Sequence, residues 1–386
     1  MPAGLIPVLS LANFVIGMGA FLVVGALTPI ARGLSMSAAE AGSVLTVYAL
    51  SYAVLSPVLV ALTGRIGRRR VMTAGMVLFA AGATASALAP SEGWLLAARV
   101  LAASGAGMTT PVAAAVAVAL APPEARGRVL ARVFLGLTLA QVAGVPFGSW
   151  VAYAHGWRAA FVLVAGLAAL AAVAIWIRVP AGLSFQPVRL ADLAAVLRAP
   201  RLMLAILFTA SFLGAIYVPF TYVAPLLETT LGLGRDGVTL ALVIAGAGAV
   251  VGNLAGGRMS DRLGPYRSLL ILACLQVGLM PLLSLLPVPL AAAFALIFVW
   301  MAAGYAFNAG QQVRLVALAG ARAPVALSLH AASIYLGAAI GAAAGGVVVA
   351  RYGVGAAGLA GGIAALGAVV HIVMSRQPVD TDRADA

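Results

Sequence analysis

Chemistry in this chain rests on very few side chains. Charged residues make up 9% of its 386 positions, and every basic one is an arginine. Two arginine-bearing stretches match each other, GRIGRRR at 64–70 and GRMSDRLGPYR at 257–267. Each sets Arg and Gly two residues apart, Arg65 with Gly67 and Arg262 with Gly264, between apolar runs. Such arginines can hold helix C-termini, phospholipid headgroups or a carboxylate. Anchoring the chain's orientation is their simplest use. The two glycines are expected to permit tight turns. Two further ionisable groups read as embedded within apolar runs, Arg99 and, alone among the histidines, His330. Arg99 cannot readily shed its proton. It can attract an anionic group, order water or act on a nearby proton carrier; snorkelling to the outer interface is the competing reading. The reference pKa of His330, about 6.5, makes it the natural titrator of its run. A neutral hydrogen-bonding role competes with that.

Nothing here reads as an enzyme. The histidines His155, His330 and His371 lie at different depths and form no convincing metal set with the acids. A phosphate-gripping Gly-x-x-x-x-Gly-Lys-Ser/Thr motif is missing, and the chain has no lysine. Energy for any work must therefore come from an ion gradient, with protons the candidate, or from a substrate gradient. No cofactor and no metal are expected. Sparse polar groups among apolar walls suit a small-molecule cavity. The candidates are Asn13, Tyr48, Tyr52, Gln141, Tyr217, Tyr222, Asn253, Asn308, Gln311, Gln312, His330 and Tyr335. Asn308 and Gln311, three apart on a helix, can face one space. The aromatic members stack on a flat substrate or simply fill volume. The set suits a mostly apolar, weakly polar cargo.

These side chains must be carried by membrane-spanning helices. Hydrophobic residues reach 63%, and soluble domains carry about 25% charged residues. Twelve apolar runs each exceed the roughly 17 residues needed to cross a bilayer. They cover 5–31, 40–62, 71–90, 95–121, 129–153, 157–178, 202–228, 237–257, 268–286, 289–316, 323–350 and 353–374. None shows the period-two alternation of a β-barrel strand. The net charge of +13 sits in short clusters between these runs, which fits the inside-positive bias better than a nucleic-acid face. Most arginines fall on one side if both termini are cytoplasmic. Cys274 is alone, so no intrachain disulfide forms. The first run lacks a basic leader and reads as a retained span. The fold expected is an all-α polytopic membrane protein, with twelve transmembrane helices in two pseudo-symmetric six-helix bundles at 1–178 and 202–374. A cytoplasmic linker, 179–201, is expected to hold an amphipathic helix with Leu190, Leu193, Ala194 and Leu197 on one face; an ordinary linker is the alternative. A cytoplasmic tail, 375–386, closes the chain. Membrane lipids and a small-molecule substrate are the expected partners of a monomer.

Taken in order, several stretches resemble the major facilitator superfamily, nearest its bacterial twelve-span proton-coupled exporters of drugs, sugars and purine nucleosides. Gly257, Asp261, Arg262, Gly264 and Arg267 match that superfamily's loop signature, and Arg65, Gly67, Arg68 and Arg69 match its first-half copy. There, Gly64 stands at the acidic position and Val60 at the leading glycine. LAARVLAASGAG, 96–107, resembles the fourth-span pattern around an embedded arginine, here Arg99. AQVAGVPFGSWVAYAHGWRAAF, 140–161, resembles the fifth-span exporter signature, carried by Gly144, Pro146 and Gly148. Those three read as a hinge or as tight packing. FTYVAPLL, 220–227, and GNLAGGRMSDRLG, 252–264, resemble the seventh and eighth spans. The resemblance implies secondary efflux by alternating access across a bacterial inner membrane, with proton antiport. Facilitative uniport or uptake of a sugar, nucleoside or similar metabolite is the alternative. First spans of such exporters often carry an acid, but GMGAFLVVGALTP has none, and Ala20 stands near that place.

The resemblance also assigns the first-half loop acid to holding the cytoplasmic face closed. With Gly64 in its place that lock is weakened. Gly64→Asp is therefore expected to shift the protein toward its outward-open form, read as distances between spin labels on the cytoplasmic loops. An unchanged distribution in a folded variant would refute the lock.

Overall fold

Inside a bilayer no water satisfies a peptide group, so an apolar chain must pair its own N–H and C=O groups. The chain does so by forming helices throughout. A computed structural model describes residues 4–122, 125–183 and 190–377, and among them every regular element is helical. In chain order these are α1 (Leu5–Gly33), α2 (Ala38–Leu62), α3 (Arg68–Ala87), α4 (Glu92–Ala119), α5 (Arg126–Leu139), α6 (Val145–His155) and α7 (Trp157–Arg178). After them come α8 (Leu190–Leu197), α9 (Pro200–Phe220), α10 (Val223–Leu231), α11 (Arg235–Leu263) and α12 (Pro265–Leu282). The last four are α13 (Leu290–Tyr305), α14 (Phe307–Ala319), α15 (Ala323–Tyr352) and α16 (Ala357–Met374). Among the described residues, twelve stretches are long and apolar enough to cross a membrane. Three of them are broken helices: α5 with α6, α9 with α10, and α13 with α14.

Two compact units emerge, 1–37 with 47–188, and 38–46 with 189–386. In the first, α1 is central, and 83% of its most apolar window is buried. It packs on α5, α6 and α7. In the second, α9 packs on α15 and α16, and 78% of the window in its span is buried. Outer helices turn apolar side chains such as Leu170, Ile177, Ile363 and Val370 outward, as lipid contact requires. Cys274 is likewise exposed.

Helices meet in the second unit through small residues. Gly248, Gly252 and Gly256 lie one turn apart on α11, and each faces a carbonyl of α13 or of the residue after it, at Phe298, Ala302 and Ala306. Gly337, Gly341 and Gly345 on α15 repeat the device against Ala210, Gly214 and Val218 of α9. Lipid offers no hydrophobic drive between helices, so close van der Waals approach does the holding.

Helix ends run further than the apolar runs. Asp261 and Arg262, expected beyond the run that ends at Gly257, form the last turn of α11, and Arg68 and Arg69 open α3. Continuing the i to i−4 ladder satisfies the backbone at the interface better than a loop would. Only Gly264 of the two turn glycines needs its residue type, with φ 79° and ψ 154°. Gly67 sits at φ −55°, an ordinary region for any residue. Its turn is held instead by the Arg68 N–H donating to the Leu183 carbonyl at 3.0 Å. In the linker, α8 buries Val196 against Leu202, Ile206 and Leu315, while Leu197 is half exposed. Arg189 and the rest of 184–189 lie outside the described residues, as do the side chains of Leu190 and Leu193 and the tail from 378 onward.

The α11 ridge yields a stability test. Gly252→Val would drive a Cβ into the Ala302 backbone, whereas Gly257→Ala meets nothing within 4 Å. The first should lose about 1–3 kcal/mol through overpacking and the second almost nothing, read as thermal unfolding midpoints in detergent.

Candidate functional site

In the first unit the site is built on α4. Its small residues let α3 come close: Gly82 lies against the Ala102 backbone, and Gly105 against Gly75. That leaves Arg99, one turn earlier than Ala103, inside the unit at 1% exposure. Snorkelling is therefore not what Arg99 does. Its Nη2 donates to the Ala20 carbonyl of α1 at 3.2 Å. The guanidinium carbon lies 4.2 Å from the Tyr48 ring centre and 5.6 Å from that of Phe161. Its Nε has no hydrogen-bond partner. Desolvated cation–π contacts of this kind contribute about 2 kcal/mol. No ion pair joins Arg99 to a carboxylate among the described residues.

The other first-unit candidates are distributed around this centre. Asn13 is fully buried and donates Nδ2 to the Val133 carbonyl of α5 at 3.2 Å, so that half of its amide ties helices together. Its Oδ1 has no partner. Tyr52 lies beside Ser56 and Thr110, and Ser56 donates to the Gly107 carbonyl at 2.8 Å. Gln141 lies half-buried in a π-helical turn, Ala140–Gly144, that interrupts the fifth span. Gly144 then fits against Phe14 and Met18 of α1, Gly148 against Leu22, and Pro146 occupies the first turn of α6. Tight packing and a local irregularity thus coexist in this stretch.

Around the first loop, Arg68 is buried and Arg69 stacks over Trp176, 4.4 Å from its centre. Arg65 is exposed, as are Asp261, Arg262 and Arg267 in the second-half copy. At the other end of α11, Arg235 pairs with Asp236 at 2.8 Å.

In the second unit His330 is the hub. It is 3% exposed on α15, and its neighbours come from α9 and α14. Nε2 faces Asn308 Oδ1 at 3.4 Å, and Nδ1 faces Thr209 Oγ1 at 2.9 Å. Gln311 donates Nε2 to Thr209 Oγ1 at 3.1 Å and to the Ala205 carbonyl at 2.7 Å. Gln312, itself exposed, donates to Asn308 Oδ1 at 3.2 Å. An amide oxygen only accepts, so Nε2 carries the hydrogen. Nδ1 then accepts from the Thr209 hydroxyl, so both ring nitrogens are partnered with a neutral imidazole, while Gln311 Oε1 has no partner. Asn308 thus meets His330 directly, and Gln311 reaches it through Thr209.

Tyr217 lies close to Tyr305 and Tyr335, and Tyr222 donates to the Ala342 carbonyl at 2.9 Å. Asn253 is half-buried on α11. Thr209 escaped sequence reading, although with Ser211 it is one of two hydroxyls in the apolar run LAILFTASF. His371 also proved embedded: Nε2 faces the Leu204 carbonyl at 2.9 Å and Nδ1 faces Ser211 Oγ at 2.6 Å. Arg314, too, is 1% exposed and donates to both the carbonyl and hydroxyl of Ser375.

A family model described as Major Facilitator Superfamily matches residues 9–319. The chain is 32% identical to "Inner membrane transport protein YdhP" of Escherichia coli (strain K12), covering 89% of this chain and 88% of that one. It is 34% identical to "Chloramphenicol resistance protein" of Streptomyces lividans, covering 86% of each. Among solved structures, a D-xylose–proton symporter superposes with a TM-score of 0.77 at 19% identity, over 97% of this chain and 98% of that one. That likeness concerns the fold alone.

The hydrogen-bond logic at His330 can be checked directly, because the chain has only three histidines. Nuclear magnetic resonance of 15N-histidine-labelled protein at neutral pH should show His330 as the Nε2–H tautomer. Thr209→Val should move its Nδ1 resonance by removing the donor. A wild-type Nδ1–H signal assigned to His330 would refute the network.

Proposed function

We propose, from the premise that this chain belongs to the Major Facilitator Superfamily, that it exports a small, weakly polar or amphipathic molecule by alternating access. The observation that carries this reading is the interrupted fifth span. Its exporter-like stretch forms a π-helical turn at Ala140–Gly144, followed by Pro146 and seated on α1 through Gly144 and Gly148. A span that is closely packed yet locally irregular suits a helix that must shift against its neighbour. The relative named for chloramphenicol resistance supports outward transport, and the relative named as an inner membrane protein supports that location. The moving bodies are the halves 1–178 and 202–374, with both termini cytoplasmic. The loop residues Arg65, Gly67, Arg68, Arg69, Gly257, Asp261, Arg262, Gly264 and Arg267 act in gating, and a monomer is sufficient for the cycle.

Proton exchange is assigned to His330. A second proton on the ring would make both nitrogens donors. Thr209 would then have to turn its own hydrogen toward another acceptor, and the Ala205 carbonyl nearest in its helix already accepts from Gln311. Charging the ring therefore rearranges Thr209 and Gln311 together. Facilitative uniport or uptake is the second reading. It is favoured by the position of the acids: Glu40, Glu92 and Asp236 lie in first turns and Asp261 in a last turn, not deep in a span.

Purified protein in vesicles, without ATP, should drive counterflow of at least one compound from a panel of chloramphenicol, sugars and nucleosides. No flux of any member would refute transport of those classes. With a confirmed substrate, His330→Gln should abolish substrate-linked proton flux while exchange persists. Proton flux unchanged in that variant would remove His330 from the coupling role, and its absence in the unaltered protein would favour uniport.

A further inference from the structure

We propose that Arg99 anchors an anionic group on the cargo, so that the transported molecule is an organic monoanion, a carboxylate first of all. This rests on the transport reading and names its substrate class. The starting point is an uncompensated charge. A cation enclosed away from water is strongly unfavourable unless partnered. Arg99 is enclosed, yet its partners are neutral: one carbonyl at Ala20 and the rings of Tyr48 and Phe161. Arg314, likewise enclosed on a span, shows the contrast. Arg314 gives Nη1 to the Ser375 hydroxyl and Nη2 to the Ser375 carbonyl, and caps the end of α16. Its task is visibly structural. Arg99 has an Nε with no partner at all.

The geometry indicates which part of the guanidinium is available. Tyr48 and Phe161 sit against the cation as rings, satisfying its faces rather than its N–H donors. Nη2 gives one hydrogen to Ala20 and keeps a second, alongside the unpartnered Nε–H. Nε and Nη2 share the edge of the guanidinium that can grip a carboxylate bidentately, which a point charge such as lysine cannot do. The nearest stretch of α1 is Gly17, Met18, Gly19 and Ala20, with no side chain able to supply the missing negative charge. An acid group on the cargo supplies that counter-charge, with the rings of Tyr48 and Phe161 as the aromatic surface beside it.

Detergent-solubilised protein should be melted in the presence of 2-naphthoate, of the neutral isostere 2-naphthamide, and of chloride at the same concentration. The unfolding midpoint should rise with 2-naphthoate and not with the other two. Arg99→Lys should keep the preference for the anion but bind about tenfold more weakly; Arg99→Gln should lose the preference. Equal shifts from naphthoate and naphthamide would overturn the proposal, and an equal shift from chloride would reduce Arg99 to a holder of bare counter-ions. An unchanged naphthoate preference in Arg99→Gln would place the anion elsewhere. If that variant does not fold, the unaltered protein and Arg99→Lys still decide, since Lys retaining full affinity removes the bidentate contact. Flux of the same compounds in vesicles separates the two layers: naphthoate binding without any flux refutes transport, and flux indifferent to the acid group refutes the anion anchor.

Discussion

The peptide group's need for a partner in lipid governs this molecule. It forces helices along the whole membrane-embedded chain, and it leaves no hydrophobic drive to press those helices together. What remains is contact at very short range. The glycine ridges on α11 and α15 provide it by setting backbone against backbone, with the Ala302 and Gly214 carbonyls lying where a Cβ would otherwise be. Such surfaces are stiff, because a backbone carbonyl cannot move aside as a flexible side chain can.

Against that stiffness, the interruptions stand out. The fifth span loosens into a π turn at Ala140–Gly144, the seventh breaks between α9 and α10, and the tenth breaks at Ala306. Around the second break, Thr221 folds its hydroxyl back to the Tyr217 carbonyl at 2.7 Å, so a side chain takes up an acceptor near the end of the helix. Candidate polar residues gather at these places. Gln141 lies in the π turn, Tyr217 and Tyr222 flank the second break, and Asn308 and Gln311 follow the third. Irregular backbone at membrane depth is tolerated where it lines a cavity or is buried in protein, and transporters use it to build sites near the midplane.

Charge is the second scarce resource. With so few ionisable groups in the spans, each enclosed one has a readable task. Arg314 caps a helix end, His371 spans a hydroxyl and a carbonyl, and His330 joins three helices through neutral partners. Arg99 lies between the rings of Tyr48 and Phe161 with its Nε unpartnered. The two units thus carry different polar centres, a fixed cation in one and a titratable ring in the other.

The sequence by itself determined the helices, their number and their rough limits, because length and apolarity suffice to make a span. It also marked Arg99 and His330 as embedded, since a lone polar residue in an apolar run has nowhere else to be. The extent of the helix ends was decided by backbone pairing at the interface, which composition does not report; hence Asp261 and Arg262 lie on α11 rather than in a loop. Gly67 and Gly264 look equivalent in sequence, yet only Gly264 adopts a left-handed backbone. Partner choice was likewise a tertiary matter. Thr209 and His330 lie 121 residues apart, and Arg99 and Ala20 are separated by 79. Only the packing of α9 on α15, and of α4 near α1, brings those atoms within hydrogen-bonding distance, because helix periodicity sets which residues share a face but not which helix that face will meet.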